Sequence, residues 1–124
     1  MSNAILSLLP VYAEAIINGT KTIEFRRKIF SRDIQKIYIY SSAPAKMILG
    51  YFTIKEFIAD TPENLWERFS TIGGIEKKAF FEYFNETEKG FGIVIDQVIE
   101  FENSIDPIDF IKDFHERGTY IYLD

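Results

Sequence analysis

"NGTKTIEFRR", residues 18–27, reverses the chain and then places charge on a short β-like run. Asn18-Gly19 is a strong reversal signal, and the residues after it favour an extended strand over 21–27. Side chains alternate along a strand. Thr22, Glu24 and Arg26 therefore share one face, and Ile23 and Phe25 share the other and enter the core. Lys21 sits at the junction after the turn, where alternation is not binding. Such a strand is a platform for a polar cleft. Arg offers a rigid fork for phosphate or a base edge, and Lys a mobile point charge. Glu accepts from a base amino group or acts as a general base. Gly19 allows close approach and a positive φ. The bland alternative is that Glu24 and Arg26 pair across the sheet and Lys21 is solvated, contributing about 0–1 kcal/mol.

Charge around this stretch is lopsided. Lys21 to Lys36 holds six basic and two acidic residues, a local +4 in a chain of net charge −5. The remainder is therefore −9. A local basic patch on an acidic body suits a defined anionic ligand and argues against non-specific coating of duplex DNA. It also suits an edge strand blunted against aggregation.

The chain has 124 residues, the size of one ordinary domain, and no repeat, linker or low-complexity segment divides it. We expect a single domain over 1–124. Twelve Phe and seven Tyr supply enough apolar area for a real core. The absence of cysteine leaves no disulfide and no thiolate metal site, and fits a reducing compartment. Apolar runs such as Met47 to Ile54 are too short to span a bilayer, and the N-terminus lacks the basic start and apolar middle of a signal peptide. A soluble cytoplasmic protein is expected, with no membrane partner.

Outward from the opening stretch, residues 4–8 suit a first strand. Pro10 opens a helix over 10–18 that Gly19 stops. Strands follow at 36–42 and 46–58, the latter with Gly50 marking a bulge or close approach. Thr61 caps a helix with Pro62 in its first turn, ended by Gly73-Gly74. A second helix runs from 76 to 84, with Ala79, Phe80, Tyr83 and Phe84 on one side. A strand at 89–101, a capped turn within 105–114 and a last strand at 119–123 complete the chain. Strands follow strands without regular alternation with helices, which indicates α+β: a small mixed β-barrel with peripheral helices.

Other chemistry is weakly signalled. His115 is the lone histidine and is given no role. Asp106, Asp109 and Asp113 are spaced for a short helix, where Asp106 is better read as a cap before Pro107 than as a metal ligand. Gly90-x-Gly92 lacks the third glycine and following helix of a dinucleotide loop. Trp66, Phe80, Phe81, Tyr83 and Phe84 raise base stacking but are read as core, with one of Phe81 and Tyr83 left exposed, while Tyr40 and Tyr120 are the expected cleft aromatics. No metal and no cofactor is called for.

Gly19, Lys21, Glu24 and Arg26 match G-x-K-x-x-E-x-R, a pattern that resembles the signature of the ASCH domain in the PUA-like superfamily. "ILSLLPVYAEAIINGTKTIEFRR", "IYIYSSAP" followed by "ILGYF", "DTPENLWERF" and "YIYLD" extend the similarity over essentially the whole chain. The resemblance implies a PUA-like barrel with a cleft near the motif, and RNA, a nucleotide or a modified nucleoside as partner. It implies a binding site of Gly19, Lys21, Glu24 and Arg26, with Ser41, Ser42, Thr119 and Tyr120 around it. Some similar proteins are ribonucleases or nucleoside amidohydrolases, so a small hydrolase using Lys21 and Glu24 is the alternative. The amidohydrolase members carry threonine three residues after the motif lysine, where this chain has Glu24, which counts against that branch. A protein-interaction or regulatory domain is the third reading.

Overall fold

The structure, a computed structural model, describes residues 2–111, 114 and 120–123. Its strands are β1 (Ser2–Leu8), β2 (Ile23–Arg26), β3 (Ile34–Ser41), β4 (Met47–Asp60), β5 (Gly90–Ile105) and β6 (Tyr120–Leu123). Its helices are α1 (Pro10–Ile17), α2 (Pro62–Phe69) and α3 (Lys77–Tyr83), with a 3-10 turn at Pro107–Asp109. The sheet runs β2-β5-β4-β3-β1-β6. β1 and β3 pair in parallel and every other ladder is antiparallel. The sheet curls into a half-barrel with the helices around it, the α+β architecture expected. No helix among the described residues is long and apolar enough to cross a membrane.

Period-two alternation builds the cores. On β1, Ala4, Leu6 and Leu8 join a core with Ala13 and Ile16 of α1, Ile37 and Ile39 of β3 and Phe52 of β4. Ile5 points the other way, into a cluster with Tyr40 and Ile48. Full burial of each Leu, Ile or Phe among them contributes about 1.5–3 kcal/mol. On β2, Ile23 and Phe25 face a separate core under α2 and α3, with Leu65, Phe80 and Phe84. Phe25 meets Phe80 edge-on at 4.9 Å between ring centroids, a favoured aromatic geometry.

The local signals hold where chemistry is local. The Thr61 hydroxyl accepts from Asn64 N–H at 3.2 Å, and the Asp106 carboxylate accepts from Ile108 N–H at 3.1 Å. The β4–β5 register shifts beside Gly50, as a bulge requires.

Several boundaries differ from expectation, most of all the far end of β5 at Ile105 rather than 101, and two of the differences have a clear tertiary reason. α2 ends at Phe69, before Gly73-Gly74. The chain leaves the helix early because the Ile72 carbonyl accepts from Thr22 N–H at 3.0 Å. β2 starts at Ile23 because Lys21 N–H is already held by the Ala15 carbonyl of α1 at 3.0 Å.

The two edge strands, β2 and β6, make no ladder with each other. The segment after β2 bridges them instead. Phe30 meets Tyr120 at 4.5 Å between ring centroids, and Tyr120 Oη donates to the Ile29 carbonyl at 3.4 Å. Ser31 N–H donates to Tyr122 Oη at 2.8 Å, while the Arg32 guanidinium lies 4.2 Å from the centre of the Tyr122 ring.

Candidate functional site

The motif strand lines a cavity of about 490 Å³, within the roughly 300–1,000 Å³ of small-molecule sites. Ser7, Leu8 and Leu9 at the end of β1 and Tyr12 of α1 form one wall. Lys21, Glu24, Phe25 and Arg26 form the next, and Ile75, Ala79, Glu82 and Tyr83 the last. The curl of the sheet brings β1 and β2 to face each other across this space, although three strands separate them in the sheet.

A chain of charge runs along the cavity wall. Lys21 Nζ lies 3.4 Å from Glu24 Oε1, and Arg26 Nη1 lies 3.5 Å from Glu24 Oε2. Lys21 is 2% exposed and Glu24 6%. Strand alternation predicts the Glu24–Arg26 face correctly. The solvated reading of Lys21 is corrected, because its ammonium donates to the Gly73 carbonyl and sits 5.5 Å from the Tyr12 ring centre and 5.3 Å from that of Phe25. Its stem runs along Gly74, whose φ is +60° and where an added Cβ would come within 2.7 Å of the Lys21 Cβ. Burial pushes the Lys21 ammonium below its ordinary value of 10.5, with Glu24 opposing the shift. Burial first, then the negative charges of Glu24 and Glu76, push the Tyr12 phenol above 10.0. The site therefore holds a cation that releases its proton more readily than usual beside a carboxylate.

Arg26 opens into a second cleft. This one measures about 770 Å³ and is walled by Arg26, Arg27, Lys28, Tyr83, Lys89 and the Glu86–Glu88 turn. The +4 segment is thus divided among several places. Lys21 and Arg26 face the inner cavity, Arg27 and Lys28 face the outer cleft, Arg32 lies on Tyr122, and Lys36 lies 4.7 Å from the Tyr51 ring centre.

Of the remaining expected site residues, those described lie outside the inner cavity's lining. Gly19 is exposed at φ +85° and ends α1, with its N–H on the Ile16 carbonyl at 3.2 Å. Ser41 is buried in register with Leu8, and Ser42 N–H donates to the Leu8 carbonyl at 2.9 Å. Both serines flank a lining residue. Tyr120 of β6 pairs with Leu6 of β1, close enough to Arg26 to feel its charge, yet burial holds its phenol above the ordinary range. Tyr40 is no cleft aromatic: it is buried against Phe114, 5.0 Å between ring centroids. Thr119, His115 and Asp113 lie outside the described residues. Sequence reasoning missed Tyr12 and the Gly73-Gly74 turn, and read Tyr83 with the core aromatics although it lines the cavity. For Tyr12 the available signal was its place on the helix that feeds the motif. For the turn it was a paired glycine, read only as a helix stop.

Comparisons with known proteins agree with the fold. A curated relative from Zymomonas mobilis, an ASCH domain-containing ribonuclease, is 31% identical over 93 residues, which make up 74% of this chain and 63% of that protein. The crystal structure of ASCH from Zymomonas mobilis superposes with a TM-score of 0.91 at 25% identity, covering 98% of this chain and 87% of the other. The N-terminal domain of Staphylothermus marinus McrB shares the fold at a TM-score of 0.54 and 13% identity, over 90% of this chain and 80% of that one. The family model described as ASCH domain matches residues 6–104. The chain belongs to the ASCH domain family.

Proposed function

We propose that this protein binds RNA, or a nucleotide derived from it, in the inner cavity, with Lys21, Glu24 and Arg26 as the recognising groups and Tyr12 as a wall. The buried Lys21–Glu24–Arg26 chain carries the reading. Taking three charges out of water repays little stability even when they are paired, so a chain of this kind lining a cavity is better explained by a ligand. Arg26 and Lys21 match phosphate and base-edge acceptors, and Glu24 matches a base amino group or a ribose hydroxyl. Ser41, Ser42, Thr119 and Tyr120 belong to the surround. RNA as ligand and the absence of cysteine both suit the cytoplasm.

Cleavage is the second reading, favoured by Lys21, whose ammonium burial holds below its ordinary value, standing beside Glu24, and by the ribonuclease name of the relative. In that reaction Glu24 takes the proton of the ribose 2′-hydroxyl, whose oxygen attacks the adjacent phosphorus. The bond from phosphorus to the 5′-oxygen breaks, and Lys21 gives that oxygen its proton. A cyclic phosphate and a free 5′-hydroxyl remain, and no water is consumed.

The test incubates the protein with total RNA and a panel of modified nucleosides and reads retained and converted species by mass spectrometry. Retention by the wild type, lost in Lys21→Ala, is expected. Conversion lost in Glu24→Gln, with retention kept, selects cleavage. A wild type that neither retains nor converts any member sinks both readings.

A further inference from the structure

We infer that Lys21 is a covalent capture site: its amine forms an imine with a small aldehyde that carries a carboxylate, and Arg26 holds that carboxylate. This activity uses the inner cavity and does not depend on RNA as its ligand. A neutral amine has two N–H donors and a lone pair, whereas an ammonium has three donors. Among the described residues two oxygens meet Lys21 Nζ, the Gly73 carbonyl and Glu24 Oε1, the latter at 3.4 Å. Those two acceptors match the neutral amine, and its lone pair is left for the cavity that the residue lines. Burial favours the neutral form, since it lowers the Lys21 pKa from 10.5. A lysine desolvated among apolar groups is an activated nucleophile towards a carbonyl carbon. The other described lysines are exposed or half-buried, so Lys21 is set apart from them.

The step balances within the site. The ammonium gives a proton to Glu24. Nitrogen then bonds to the carbonyl carbon, and the carbonyl oxygen takes a second amine proton. That oxygen leaves as water with the proton that Glu24 had held. An iminium remains, with one N–H and the same positive charge. Glu24 and the rings of Tyr12 and Phe25, whose centres lie 5.5 and 5.3 Å from Nζ, therefore face a cation before and after.

The walls set the ligand class. Leu8, Leu9, Phe25, Ile75 and Ala79 offer apolar side chains to the cavity, which suits an aromatic or aliphatic frame. Arg26 uses one nitrogen on Glu24 Oε2 at 3.5 Å. A guanidinium has several more donors, and they match a carboxylate as a fork. Lys21 and Arg26 stand on either side of one side chain, Glu24, so the aldehyde and the carboxylate belong on a single small frame.

The test incubates the protein at neutral pH with para-formylbenzoate and, separately, with benzaldehyde. Sodium cyanoborohydride reduces any imine to a stable amine, and mass spectrometry of the intact chain and its peptides locates the adduct. With para-formylbenzoate a single adduct at Lys21 is expected, formed roughly tenfold faster than at any other lysine. Benzaldehyde is expected to react there roughly tenfold more slowly, because it lacks the group that Arg26 holds. Arg26→Gln is expected to erase that difference, and Lys21→Arg to remove the adduct. Selectivity among lysines is read within the wild-type protein, so it decides the matter whether or not a variant folds. Labelling spread over the surface lysines, or no adduct at Lys21, overturns the capture site. Equal rates for the two aldehydes at wild-type Lys21 overturn the ligand class. RNA retained by a protein that gives no Lys21 adduct overturns the capture site and leaves the RNA reading intact.

Discussion

Lys21 keeps an ammonium almost wholly out of water, against one carboxylate, one carbonyl and two rings. Its lowered pKa has a thermodynamic sign. Between the folded value and the ordinary 10.5, the unfolded chain holds the Lys21 proton and the folded chain releases it. The unfolded state then binds more protons, so this lysine's contribution to stability rises with pH across that window. Tyr12 acts oppositely, but only above its ordinary 10.0. Thermal melts of wild type and Lys21→Met, taken from neutral pH up to that point, are expected to converge or cross in the wild type's favour. A melting-temperature difference that is flat with pH refutes the linkage. The sequence made Glu24 and Arg26 legible, because strand alternation acts between near neighbours. It hid the burial of Lys21, because the Gly73 carbonyl that receives it is 52 positions away.

At the scale of elements, the turn after α2 does two jobs. It supplies the Gly73 carbonyl, and through Gly74 it presses on the lysine stem. Alanine at 74 meets both a left-handed backbone and the Lys21 Cβ. Gly74→Ala is expected to cost about 1–3 kcal/mol and to weaken RNA retention by displacing Lys21. Thr61→Ala, at the other end of α2, removes the cap for about 1 kcal/mol and is expected to leave retention unchanged. Denaturant melts alongside binding distinguish the two. Equal effects on binding mean that the turn acts only through stability. Caps such as Thr61 and Asp106 are readable in sequence because donor and acceptor lie within three residues. The true end of α2 is not, because Thr22 of a different segment decides it.

Across the whole molecule, the half-barrel brings β1 and β2 together although three strands stand between them, and side chains close the seam. Its fold class followed from element order, but the seam did not, since it depends on Ser31 meeting Tyr122 across 91 positions. Tyr122→Phe removes the hydroxyl that receives Ser31 N–H and is expected to cost about 0.5–1.5 kcal/mol. Amide exchange at Ser31 is expected to quicken, with the Phe52 region unaffected. Unchanged exchange there would mean that the rings alone hold the seam.

A seam held by rings and hydroxyls has no register. Ladder-closed barrels change diameter only by shifting every pair of an edge strand, each slip turning side chains to the wrong face. Here the distance between β2 and β6 is set by the few residues from Arg27 to Asp33 that bridge them. Lengthening such a segment adds little closure entropy. The width of the seam is therefore an adjustable dimension. Insertions or larger rings between 27 and 33 would widen it while the sheet, the helices and the Lys21–Glu24 pair stay as they are.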